Sequence, residues 1–271
     1  MSFLNKVYIS WWKDFYIEKS YPIRFVILFS QLFLQLLLIF YISKFIGLPE
    51  NELDFKVVDL LGFLVIGIFI LDMSNFMISY TAIQIEQYKM SGVFEELFVL
   101  PTQNSHLVIL SHAYPVFISL IKTFIYISFL FLMFEGVNIS FLDILYFFAS
   151  IFLALVVFVG ISLIASGMSI LFFKGSWIAT INNTISIIFG GVFFPPALIG
   201  NNFASFANLI PIHNVVEILR YIFDITEATS APINDLIIYL ILQSLIFFGV
   251  GWFFLKFAIK KSFLDGNIPF H

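Results

Sequence analysis

Long apolar runs alternate with short polar stretches along this chain, and within each run the apolar positions are continuous rather than every second residue. A helix that crosses hydrocarbon needs roughly 20 mostly apolar residues. Six stretches reach about that length: residues 23–43, 58–80, 107–134, 141–173, 177–194 and 236–257. The third and fourth are long enough to tilt or to extend beyond the lipid. Strands of a membrane barrel would alternate apolar and polar positions. The pattern therefore predicts an all-α integral membrane protein of six transmembrane helices, with the whole chain, 1–271, forming one transmembrane domain.

A different periodicity precedes the first run, over residues 1–20. Phe3, Leu4, Val7, Tyr8, Trp11, Trp12, Phe15 and Tyr16 recur at helical spacing, with Lys6, Ser10, Lys13, Asp14 and Lys19 between them. An aromatic stripe opposite a charged face suits an interfacial amphipathic helix in the headgroup plane. The other reading is a stripe packed against protein. Pro22 marks the bend into the first span. The polar and charged residues running to Arg24 do not resemble a cleavable signal peptide.

Composition supports lipid as the main solvent. Of 271 residues, 61% are hydrophobic and 11% charged, whereas soluble domains carry about 25% charged residues. A soluble fold of this size has no way to hide that much apolar surface. Cysteine is absent, which excludes disulfides, thiolate metal sites and thiol redox chemistry. No basic run suggests nucleic acid. His106, His112, His213 and His271 are scattered without metal-ligand spacing, and His213, just after Pro211, is expected in a turn or cap at the outer surface.

Lys and Arg near span ends set orientation. With the N-terminus cytoplasmic, Lys6, Lys13, Lys19, Arg24, Lys89, Lys174, Lys256, Lys260 and Lys261 lie inside, against Lys44, Lys56 and Arg220 outside. That nine-to-three bias predicts both termini cytoplasmic. Lys122 lies within a span.

The loop between spans two and three, read as beginning at Gln84, is the most informative segment. A short amphipathic helix fits residues 93–100, stopped by Pro101, with Glu95 and Glu96 in its first turn where the helix dipole favours acids. Phe94, Leu97, Phe98 and Val99 offer an apolar side. Such an element docks into a groove on a soluble partner or covers the bundle floor. Near the fifth span, Gly190 and Gly191 permit close backbone approach, and Pro195 and Pro196 end the helix. The stretch from Pro196 to Leu209 is too short and too mixed to span. It forms either a plain outer loop or an outer re-entrant hairpin between spans five and six, tolerated only against protein or water.

Polar groups inside spans carry a large desolvation penalty. Asp72 and Lys122 lie on oppositely directed spans, both about 15–20 Å from the inner side at ~1.5 Å per residue, and are expected to pair or to face a water-filled path. Asn182, Asn183, Thr184 and Ser186 line a pathway at a subunit contact or hydrogen-bond between helices. Glu217 and Arg220, three apart, form a local pair. No G-x-x-x-x-G-K-S/T motif exists in the chain, so it lacks a P-loop for ATP.

The segment GVFEELFVLP resembles the G-T-L-E-x-L-x-x-x-P signature of the type-2 ABC exporter permeases. Gly92, Glu95, Leu97 and Pro101 match it, while Val93 and Phe94 replace threonine and leucine. A second stretch, from Phe172 to Ile199, is similar to the family's F-K/R-x-x-x…SGVFFP block. Residues 208–220 resemble its N-P-L…R ending, with Pro211 three residues after Asn208 rather than adjacent.

The resemblance implies a permease subunit whose cytoplasmic coupling helix, about 92–101, meets a nucleotide-binding ATPase subunit through Gly92, Phe94, Glu95, Glu96, Leu97 and Pro101. ATP and Mg would sit on that subunit, with no cofactor on this chain. It also implies a second permease subunit in a homodimer, a re-entrant gate around Gly190, Gly191, Pro195, Pro196 and Pro211, and a place in a prokaryotic plasma membrane. The expected cargo is a hydrophobic or amphipathic drug, lipid or lipid-linked glycan. An integral membrane enzyme acting on a lipid intermediate would need clustered acids or His, which the chain lacks. An ATP-independent carrier or channel is the remaining alternative.

Overall fold

The computed structural model describes residues 3–46, 57–94, 96, 104–133, 140–172, 174–196, 199–225 and 232–264. Among the described residues every regular element is a helix: α1 (Phe3–Lys19), α2 (Pro22–Ile46), α3 (Val57–Met90), α4 (Asn104–Leu110), α5 (Ala113–Met133), α6 (Phe141–Phe172), α7 (Trp177–Phe189), α8 (Asn201–Ala207), α9 (Pro211–Ile222) and α10 (Ile233–Leu264). Five stretches are long and apolar enough to cross a bilayer: Phe25–Lys44, Leu60–Met90, Val108–Leu132, Phe141–Phe172 and Ile233–Leu264. The architecture is an all-helical integral membrane bundle.

Helix α3 is its axis. In α3, 78% of the spanning window is buried inside the protein, against 17% in α2. Val65, Ile66, Ile70, Met73, Met77 and Ile78 of α3 are fully buried, and α2, α5, α6, α7 and α9 all pack against it. Helix α2 touches mainly α3 and leaves Val26, Phe33, Leu34, Leu38 and Tyr41 exposed. No glycine or proline interrupts residues 68–91. The helix therefore runs nearly three turns past the expected span end, and Gln84, Glu86 and Lys89 sit on helix rather than in a loop.

Two expected spans are interrupted, each for a backbone reason. The third divides at Ser111 and His112 between α4 and α5. Pro115 lacks the N–H that would bond the Ser111 carbonyl, and its ring crowds that carbonyl. The fifth is helical only over Trp177–Phe189, because Gly191 turns the chain at φ +69°. Its 13 residues reach only ~20 Å at ~1.5 Å each, short of the ~30 Å hydrocarbon core. Helix α6 starts where predicted, on a capping box: the Ser140 N–H donates to Asp143 Oδ2 at 2.9 Å, and the Asp143 N–H donates back to Ser140 Oγ at 3.2 Å.

The N-terminal helix docks one face on protein. Trp11 meets Phe117 edge-on at 5.2 Å. Asp14, expected on the charged outer face, is instead buried. It accepts from Gln84 Nε2 at 2.9 Å, beside Lys13 Nζ at 3.2 Å. Burial raises its carboxyl above the usual carboxylate range, opposed by the Lys13 ammonium. Tyr8, Trp12 and Tyr16 stay exposed, so the aromatic stripe splits between protein and surroundings.

Helices α6 and α10 run parallel in the closest contact of the bundle. A Cβ on Gly160 would lie 2.5 Å from the Phe247 carbonyl carbon, and one on Gly251 would press into the Gly160 carbonyl. These glycines let two backbones touch, as small residues do in lipid. Gly160→Ala and Gly251→Ala should each lower stability by about 1–3 kcal/mol through overpacking. Gly249→Ala, where an added Cβ meets nothing within 4 Å, serves as the control. Thermal unfolding of detergent-purified protein reads the difference, and equal behaviour of the three variants would contradict this packing.

Candidate functional site

At the end of the bundle where α1, α3 and α10 meet, α3 stops at Met90, and Gly92 adopts φ +74°. That left-handed conformation suits the residue that ends a helix, and only glycine takes it without strain. Val93, Phe94 and Glu96 are helical, while Glu95, Leu97 and Pro101 lie outside the described residues. Phe94, expected on a docking face, turns inward and is buried with Ile85, Val108, Leu163, Ile170, Leu255 and Ile259. It anchors the segment to the bundle, and Glu96 is exposed. Sequence reasoning passed over Glu86 and Lys89 on the last turns of α3. The unbroken stretch before Gly92 was the signal that they are helical and point back into the structure.

The opposite end is organised by Arg220, which was counted as an outer surface charge but is wholly buried. Its Nη2 donates to the carbonyls of Gly191 at 2.7 Å and Phe63 at 3.1 Å, and Nη1 donates to Glu217 at 3.3 Å. The guanidinium lies 3.3 Å from the Phe63 ring centroid. One side chain thus joins α9, α3 and the link after α7. A Cβ on Gly67 would strike the Val192 backbone, so this link lies directly on α3. Pro196 is buried and Pro195 half-buried.

Of the two short helices, α8 falls inside the 196–209 stretch expected to dip back, and α9 follows it. Pro211 opens α9, where a missing N–H has no consequence. At 12 residues α9 is too short to span, yet nearly all of it is buried against α3, α6 and α10. His213, expected in a surface turn, is buried within α9. Asn214 Nδ2 donates to Gln243 Oε1 at 2.9 Å, fastening α9 to α10.

Between the ends, Lys122 Nζ of α5 donates to Asp72 Oδ2 of α3 at 2.8 Å, with 7% and 17% of the two side chains exposed. The ammonium also sits 4.5 Å from the Phe76 ring centroid. Asn182 Nδ2 of α7 donates to Ser74 Oγ of α3 at 2.7 Å, and buried Ser186 bonds its own helix at the Asn182 carbonyl. Thr184 is exposed and Asn183 half-exposed, so these four residues do not share one surface. An apolar cavity of about 390 Å³ opens between α5, α6 and the end of α9, lined by Leu120, Phe124, Ile127, Phe147 and Phe223. Among the described residues no three His, Cys, Asp or Glu groups converge as metal ligands.

Comparison with known families finds one model, described as ABC-2 type transporter, that matches residues 5–223. No curated protein matches the chain.

Arg220→Leu strips donors from buried carbonyls and leaves Glu217 uncompensated, and should destabilise by about 3–5 kcal/mol. Arg220→Lys, which loses the planar fork, should fall between it and wild type in thermal unfolding. Asp72→Leu and Lys122→Leu should each destabilise, with the double variant recovering about 1–3 kcal/mol relative to their sum. Strict additivity in that cycle would show that the two groups do not act as a pair.

Proposed function

The chain belongs to the ABC-2 type transporter family, and we propose that it is the membrane-spanning half of an ATP-driven exporter of a hydrophobic or amphipathic substrate. Membership makes it a transport permease component of a multi-pass membrane protein, not a catalytic domain. The finer reading is that a separate ATPase subunit, carrying ATP and Mg, docks on the segment around 92–101. Its closure would push on that segment, and a second copy of this chain would complete the pathway. The absence of a P-loop in the sequence favours the division of labour.

The observation that carries this reading is where the signature segment sits. It comes directly after the end of α3, the most buried of the spanning helices, which Gly92 terminates and Phe94 fastens. A force applied there enters the axis of the fold. At the other end, α8 and α9 are proposed as the re-entrant plug of the outer side, held by Arg220. Helix α7 with the turn after it is proposed as the fifth of six crossings, its remaining depth made up by residues 190–196. Both termini are then cytoplasmic, in the plasma membrane of a prokaryote. Drugs, lipids and lipid-linked glycans all suit so apolar a bundle.

Gly92→Pro, which forbids φ +74°, and Glu95→Lys should both uncouple ATP turnover from transport in the reconstituted complex while the membrane fold survives. Wild-type coupling in both variants, or transport by this chain alone in liposomes without ATP, would refute the assignment.

A further inference from the structure

The last two turns of α3 hold the connection between α6 and α7 by a set of contacts that the fold alone does not demand. Glu86 Oε1 accepts from the backbone N–H of Gly175 at 2.7 Å and of Ser176 at 3.0 Å, and from Ser169 Oγ at 3.3 Å. The first N–H groups of a helix have no partner within it and carry its positive end. Helix α7 has no side-chain cap of its own, so a carboxylate from another helix does the capping, through charge-assisted bonds.

One turn on, Lys89 Nζ donates to the carbonyls of Ile170 at 2.5 Å and Ser169 at 3.4 Å, at the C-terminal end of α6. Ser169 Oγ donates to the Ala82 carbonyl at 3.1 Å and accepts from the Gly175 N–H at 3.1 Å. A Cβ on Gly175 would lie 2.5 Å from the Ser169 nitrogen. The turn is seated too tightly against α6 and α3 to take any larger residue.

We infer that Glu86 is the positioning residue that ties the segment at 92–101 to α7, so that displacement of the end of α3 carries the start of α7 with it. This rests on the reading of that segment as the point where an ATPase subunit pushes. The geometry favours a relay because Glu86 lies six residues before Gly92, close to the end of one unbroken helix. Its partners, in turn, are the N–H groups of Gly175 and Ser176, which lead directly into the helix that bears Asn182 and Ser186. A second tie, Asn182 to Ser74, keeps α7 and α3 together further along. The link is made of hydrogen bonds, unlike the glycine contact between α6 and α10, so it transmits motion without fusing the helices.

The natural chain has no cysteine, which allows a direct test. Thr180, exposed on α7, is changed to Cys, and the complex with its ATPase subunit is labelled with N-ethylmaleimide, with and without trapping by ATP and vanadate. Trapping should change the labelling rate of the Thr180→Cys chain. Adding Glu86→Ala should abolish that change while the two subunits still copurify, and Glu86→Gln, which keeps an acceptor oxygen, should retain part of it. Ser176→Pro, compatible with φ −58° at that position, removes both the backbone N–H and the hydroxyl that Ser176 offers Glu86, and should weaken the response where Glu86→Ala fails to assemble. A full nucleotide response in Glu86→Ala, or in Ser176→Pro where only that variant assembles, overturns the inference. No response in the Thr180→Cys chain itself would instead overturn the coupling reading on which it depends.

Discussion

Inside hydrocarbon, a charge or backbone group without a partner costs several kcal/mol, and the protein itself must supply the partner. This constraint organises the bundle at three depths. At one end Arg220 satisfies carbonyls of α3 and of the turn after α7, at a point where the chain leaves regular helix. In the middle Asp72 and Lys122 neutralise one another between α3 and α5. At the other end Glu86 and Lys89 meet the unpaired groups where α6 stops and α7 starts. At two breaks in helical regularity, between α6 and α7 and after α7, the polar side chain comes from α3 or reaches it.

The apolar packing shows a different division. Helices α6 and α10 meet through Gly160, Gly167 and Gly251, with backbones in contact over a long parallel interface. Such a contact has one arrangement, and neighbouring helices are referred to it. Helix α7 is held to α3 mostly through hydrogen bonds at its start and middle, and exposes Trp177, Ile181, Ile185 and Ile188. The bundle thus combines a glycine-locked pair with a polar-tethered short helix.

Much of this was legible in the chain. Continuous apolar runs and the scarcity of charge led to a helical membrane protein, and GVFEELFVLP pointed to the family. Asp72 and Lys122 stood out because ionisable residues in a span are rare. The misreadings have physical causes. Hydropathy treats Gln84, Glu86 and Lys89 as loop because they are polar, although nothing between Gly67 and Gly92 breaks the helix. It also places Arg220 and His213 at a surface because their neighbours are mixed.

Sequence by itself determined the solvent, the class of fold and five stretches long and apolar enough to cross it, since these depend on local composition and helical length. Only the tertiary structure decided that Arg220 is the buried fastener of one end, that Phe94 points inward, and that Glu86 caps a helix some 90 residues away. Those outcomes depend on which backbone groups the packing leaves without partners. A linear chain does not display that, because a group becomes an orphan only when another helix excludes water or lipid from it.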